Sequence, residues 1–150
     1  MNKEQLQEII EFAIQREQDA ADFYRDLAGR VNNKTIAEEL LKFSEIELGH
    51  KRKLQNLDLD KVVGREPQKV ANLKIVDYMV KQEPKPNMDW HDVIAIAMQR
   101  EIKSMELYRD LAQQVEDPQV KNLLENLSAE EAEHKLYFER LWDEEVLLEN

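Results

Sequence analysis

The sequence predicts an all-α protein, a four-helix bundle of two duplicated helical hairpins with a long crossover containing a short helix. Three observations carry this reading. Glycine and proline are scarce, 3 and 4 in 150 residues, which leaves few places to break a helix. Four separate stretches carry apolar residues at the three- and four-residue spacing of one helical face. The chain also repeats itself. A shift of 84 residues lays AIQREQDAADFYRDLAGRV on AMQREIKSMELYRDLAQQV and SEIELGHK on SAEEAEHK without a gap, with 15 identities in 39 pairs over positions 13 to 51. Chance would give roughly two or three, so each half is one copy of a duplicated unit.

The first helix is marked by Leu6, Ile10, Ala13, Ala20, Tyr24, Leu27 and Val31, and the second by Ile36, Leu40, Phe43, Leu54 and Leu57. A turn near Asn32 and Asn33 supplies the N-cap between them. The third helix carries Ile94, Ala97, Met105, Tyr108, Leu111 and Val115 behind an N-cap at Asp89. The fourth carries Val120, Leu124, Leu127, Phe138 and Leu141, and Asp117 followed by Pro118 suits its start. Residues 1–150 therefore read as a single domain, with a first hairpin over about 3–57, a crossover over about 58–88 and a second hairpin over about 89–147. Most glycines and prolines fall between Gly64 and Pro86. Within the crossover, Val70, Leu73, Val76 and Met79 of KVANLKIVDYMVKQ predict one short helix lying across the bundle. A connection of this length can run the height of a bundle, which would make the second and third helices parallel. Its apolar content exceeds what a surface strap needs and predicts pairing as a homodimer.

Composition narrows the function. The formal charge is −11, from 21 Lys+Arg against 32 Asp+Glu, which argues against nucleic acid or an anionic membrane as partner. A hydrophobic fraction of 42% can fill a core despite 35% charged residues. The absence of cysteine excludes a disulfide, a thiolate nucleophile, a zinc-thiolate site and an iron-sulfur cluster from these residues. The opening MNKEQLQEIIEF has no apolar run of signal-peptide length, and nowhere do 18 apolar residues run together, so a soluble, cytoplasmic protein is expected.

Each apolar stripe contains a polar interruption. The series 10, 13, 17, 20, 24 puts Glu17 in the seam, and 94, 97, 101, 105, 108 does the same for Glu101. In the second and fourth helices the seams take in Glu47 with His50 and Glu131 with His134. Glu17 and Glu47 are each 15 residues from a turn at position 32, so both lie about 22 Å from it and at one height. Glu101 and Glu131 are related in the same way across a turn near 116. In Glu-x-x-His the i, i+3 spacing places carboxylate and imidazole on one helix face, within reach of a common cluster. Polar packing or a solvated face is the competing reading. Four carboxylates in a dry core repel one another without cations, and two divalent ions would neutralise them. Tyr24 and Tyr108 lie two turns beyond Glu17 and Glu101; their hydroxyls either bond a ligand carboxylate, carry a transient radical, or are core hydroxyls bonded to a neighbouring helix.

The motifs REQDAADFYRDLA with EIELGHK, and REIKSMELYRDLA with EEAEHK, resemble the ferritin-like di-iron carboxylate proteins, most closely their rubrerythrin-like branch. The resemblance covers both hairpins. It implies a ferritin-like bundle in which Glu17 and Glu101 are terminal ligands, Glu47 and Glu131 bridge two iron ions, and His50 and His134 complete one iron each. Oxygen and imidazole donors suit iron or manganese by type, and affinity alone would admit zinc. The implied activity is that of an oxidoreductase reducing hydrogen peroxide or reacting with dioxygen. Ferroxidase or ferritin-like iron binding, or a purely structural metal, are the alternatives. Full-length rubrerythrins carry a rubredoxin domain with four cysteines; with no cysteine here, electrons are expected from a separate donor such as a rubredoxin-like protein. Peroxide-reducing rubrerythrins also carry an extra glutamate one turn after the third-helix ligand, where this chain has Ser104. Rubrerythrin-like chains usually pair, in line with the expected homodimer.

Overall fold

The computed structural model of the chain describes residues 2–63, 73–80, 82–85 and 88–144. Its elements are α1 (Lys3–Ala28), α2 (Lys34–Gln55), α3 (Leu59–Val63), a 3-10 turn (Ile75–Tyr78), α4 (Trp90–Gln114) and α5 (Pro118–Asp143). The four long helices start where short polar side chains satisfy their first backbone amides. Asn33 accepts from the Ile36 amide at 3.0 Å, Asp89 from Asp92 at 3.0 Å and Asp117 from Val120 at 3.0 Å. Asn2 and Gln5 make a reciprocal capping box at the start of α1, at 2.8 and 2.9 Å.

Helix pairing follows from which apolar residues meet. One cluster joins Leu6, Ile10 and Ala13 from the start of α1 to Leu107, Leu111 and Val115 near the end of α4. It also contains Leu54 from the end of α2 and Val120, Leu124 and Leu127 from the start of α5. A second cluster joins the opposite ends: Tyr24 and Leu27 of α1, Ile36, Leu40 and Phe43 of α2, Val93, Ile94 and Ala97 of α4, and Phe138 and Leu141 of α5. Such sharing requires α1 to run antiparallel to α4, and α2 antiparallel to α5. With α1 and α2 already antiparallel across their short turn, α2 and α4 are parallel, as the crossover length predicts. Between the two apolar clusters lies a buried polar layer.

The stripes are shifted by one residue in places. Ala21, 1% exposed, occupies the seam of α1 where the sequence series placed Ala20, and Ala20 is half-buried beside it. In α4, Leu107 is buried and Met105 only half-buried. The α-helical period of 3.6 residues drifts against an integer series over several turns, so either neighbour can take the seam.

The crossover departs further from expectation. Val70 lies outside the described residues. Over residues 73–80, only a single 3-10 turn forms, and Val76 and Met79 are exposed at 67% and 54%. The anchor is Tyr78, 5% exposed, whose hydroxyl donates to Asp110 at 2.7 Å and whose carbonyl accepts from Arg16 at 2.7 Å. An amphipathic-helix reading misses this because one buried aromatic with two polar tethers replaces a stripe. The unforeseen α3 adds the buried Val62 to the first cluster. Among the described residues no helix is long and apolar enough to cross a membrane.

Packing this tight makes the seam sensitive to truncation. Leu124→Ala, at a fully buried position, removes about 3 kcal/mol of stability. Thermal melts should register a loss of about 9 °C. Leu136→Ala, 55% exposed on the same helix, should leave the melting temperature within about 2 °C.

Candidate metal centre

The polar layer is built from a short stretch of each long helix, one turn or two. α1 supplies Glu17, α2 supplies Ser44, Glu47 and His50, α4 supplies Glu101, and α5 supplies Glu131 and His134; all are buried, none more than 2% exposed. All six predicted Glu and His positions come together. They form two overlapping groups, Glu17, Glu47, His50 and Glu131 in one and Glu47, Glu101, Glu131 and His134 in the other, with one donor atom from each residue within 4.8 Å of the rest. Glu47 and Glu131 belong to both groups, so the two central carboxylates are shared and the outer four residues divide two and two.

Both imidazoles turn Nδ1 inward. His50 Nδ1 is 2.8 Å from Glu131 Oε1 and 3.5 Å from Glu17 Oε2, and His134 Nδ1 is 2.8 Å from Glu47 Oε1 and 3.9 Å from Glu101 Oε2. These approaches lie off the axis that a hydrogen bond needs. Glu17 Oε2, both Glu47 oxygens, Glu101 Oε2, Glu131 Oε1 and the Nδ1 atoms of His50 and His134 are buried with no hydrogen-bond partner. An orphaned buried polar atom costs roughly 1–3 kcal/mol, and seven facing one another are out of keeping with a packed polar core. Five carboxylate oxygens and two imidazole nitrogens converging on one space are the donor set of a hard or borderline divalent cation. The residues therefore fit a metal.

The two tyrosines connect the hairpins. Tyr24 donates to Glu101 Oε1 and Tyr108 donates to Glu17 Oε1, each reaching the carboxylate of the other hairpin. One oxygen of each outer glutamate is thus occupied by a phenol and the other faces the centre. Burial, reinforced by Glu17, pushes the Tyr108 phenol well up, keeping its proton available for that hydrogen bond.

Several contributors escaped the sequence reading. Ser44 donates to the Ala21 carbonyl at 2.8 Å, and its repeat partner Ser128 donates to the Met105 carbonyl at 2.9 Å, tying each hairpin together beside the centre. Their identity under the 84-residue shift was an available signal. Arg16 reaches the Arg100 carbonyl at 3.0 Å as well as Tyr78, and its own guanidinium is pulled down by burial and by Arg100. Glu130 Oε2 lies 2.6 Å from His50 Nε2. Nothing in the repeat pointed to it, because the matching position is Ile46. On the α1 and α4 side, a cavity of about 260 Å³ reaches Glu101, walled by Ala20, Ser104, Arg16, Arg100 and Met79.

A sequence model of the rubrerythrin family matches residues 8–142. The chain belongs to the rubrerythrin family. Two solved structures share its fold. One is a protein from Thermotoga maritima provisionally assigned as a ferritin-like diiron-carboxylate protein, 20% identical, covering 92% of this chain and 94% of that chain with a TM-score of 0.74. The other is a hypothetical protein from Pyrococcus furiosus, 21% identical, covering 92% and 88% with a TM-score of 0.67. No curated protein matches the chain.

Without a cation, this rubrerythrin-family centre distributes protons unevenly. Burial, then Glu131 and Glu17, pushes Glu47 far above the usual carboxylate range, and burial with Glu131 does the same to Glu101. Burial would raise Glu131 too, but contacts from Glu101 and His50 outweigh it and bring that carboxyl down to about 2. Burial alone would lower His50, yet Glu131 and Glu17 hold it up at about 10; His134 is lowered, chiefly by burial. The raised groups favour the metal-free fold at low pH. The His50 contribution is complete below its ordinary 6.5 and fades as pH climbs to about 10, and those of Glu47 and Glu101 begin to fade above 4.5. Glu131 acts oppositely, contributing above 4.5 and losing that contribution as pH falls toward 2. The metal-stripped chain should therefore melt at a lower temperature at about pH 9 than at about pH 6, followed by circular dichroism, and added divalent ion should abolish the difference. A metal-stripped melting temperature that rises over that interval would contradict this charge distribution.

Proposed function

We propose that the chain reduces hydrogen peroxide at a dinuclear iron site, using electrons delivered by a separate donor protein of rubredoxin type. The observation that carries this reading is the pair of overlapping buried ligand groups sharing Glu47 and Glu131. In it, Glu17 with His50 would hold one ion and Glu101 with His134 the other, and Glu47 and Glu131, common to both groups, would serve both. Four carboxylates against two divalent cations leave the buried centre electrically neutral.

Reduction of hydrogen peroxide to two waters takes two electrons and two protons; a pair of ferrous ions, when bound, supplies the two electrons, and the outside donor restores them. The protein's part is placement. Tyr24 and Tyr108 hold Glu101 and Glu17 by one oxygen each, so the free oxygens stay aimed inward. Their phenols also store a proton within reach of the centre. The apolar clusters above and below exclude bulk water, and the cavity of about 260 Å³ beside Glu101 has room for a small oxidant.

Ser104 favours a second reading. It lines that cavity in place of a carboxylate, leaving a site suited to dioxygen as an oxidase or ferroxidase. Anaerobic iron loading followed by stopped-flow mixing separates the two. The reduced protein should contain about two irons per chain and be oxidised by peroxide at least tenfold faster than by dioxygen. Equal rates, or faster dioxygen, would move the assignment to the second reading, and iron content near zero would end both. Glu131→Ala should abolish loading of the pair, whereas Tyr24→Phe should load normally and slow oxidation by about tenfold.

A further inference from the structure

We infer that the two cation positions are inequivalent, the one at His50 retaining its ion and the one at His134 holding its ion weakly and exchanging it. This rests on the dinuclear reading above. It is drawn from where the duplicated hairpins stop resembling each other.

At the centre itself the repeat is well kept. Glu17 matches Glu101, Glu47 matches Glu131, His50 matches His134, and Tyr24 matches Tyr108, each 84 positions apart. The outer nitrogens of the two histidines, in contrast, meet different chemistry. His50 Nε2 has Glu130 Oε2 at 2.6 Å, so the ring is locked between a carboxylate outside and the ligand group inside. The position that pseudo-symmetry would place against His134 is Ile46, which has no acceptor. Instead the face of His134 stacks on Phe43, with ring centroids 4.1 Å apart and planes 29° from parallel, and Tyr24 meets it edge-on at 6.3 Å. An aromatic face offers no in-plane acceptor, and among the described residues Nε2 of His134 has no hydrogen-bond partner. Phe43 in turn stands where the other hairpin has Leu127, so both departures fall on one turn of the repeat.

The physical consequence is direct. A histidine that donates its far N–H to a carboxylate has a fixed tautomer, a fixed ring plane and a more basic ligating nitrogen, and loss of such a partner weakens metal binding about 10–100-fold. His50 has this support and His134 does not. The cavity adds to the difference, since it opens beside Glu101, which is in the His134 group. Glu130 is therefore a positioning residue for one ion only.

Anaerobic titration of the metal-stripped full chain with manganous ion tests this, by calorimetry and by electron paramagnetic resonance. Two steps are expected, the first at least tenfold tighter, with the isolated-ion signal maximal after one equivalent and lost to spin coupling after two. Glu130→Ala should weaken the tight step about 10–100-fold and spare the other; Glu130→Gln, which keeps an acceptor oxygen, should restore most of it. Ile46→Glu should tighten the weak step. Both positions are partly exposed, and circular dichroism verifies that each variant folds. A single step for two equal ions, or Glu130→Ala weakening both steps alike, overturns the inference while leaving the dinuclear site standing. Failure to bind any ion overturns both.

Discussion

Four glutamates in one dry layer repel one another, and the bundle is organised around holding them there. Among the described residues neither Lys nor Arg is ion-paired to them; Arg16 and Arg100 stand only at the cavity beside Glu101. The ionisable groups in contact with them are two imidazoles and two phenols. Without cations, protons must substitute: Glu47 and Glu101 are pushed up, and His50 stays charged against Glu131. The seven buried donor atoms left without hydrogen bonds measure what protons fail to satisfy. An apolar cluster on either side keeps the layer out of bulk water, which strengthens both the mutual repulsion of the carboxylates and their attraction for a cation.

Duplication explains how such a layer is assembled from little information. One hairpin supplies a Glu, a Glu-x-x-His, a Tyr and a Ser, and two copies related by pseudo-two-fold symmetry complete two ligand groups. The copies are interdependent. Each tyrosine bonds the glutamate of the opposite hairpin, and each central glutamate belongs to both groups. Neither hairpin contains a complete site. Departures from symmetry then stand out as places where the two halves have taken different tasks: Glu130 against Ile46, Phe43 against Leu127, and the cavity beside Glu101.

Much of this was legible along the chain. The seam positions of Glu17, Glu47, His50, Glu101, Glu131 and His134 follow from helical periodicity, their common height from the rise per residue, and the parallel course of α2 and α4 from the crossover length. Even the caps at Asn33, Asp89 and Asp117 were readable, because capping depends on residues within three positions of one another. Periodicity was less accurate where several turns accumulate, as with Ala20 against Ala21.

The sequence by itself therefore determined the architecture and which Glu and His side chains gather in the buried layer, since both arise from local spacing and from an internal repeat. Tertiary structure alone decided the partners across helices. It sent Tyr24 to Glu101 rather than to its own hairpin, placed Glu130 on His50, stacked Phe43 on His134, and anchored the described part of the crossover through Tyr78. These contacts join residues 32 to 91 positions apart. Such pairings depend on side-chain direction at helix crossings, which no one-dimensional period encodes.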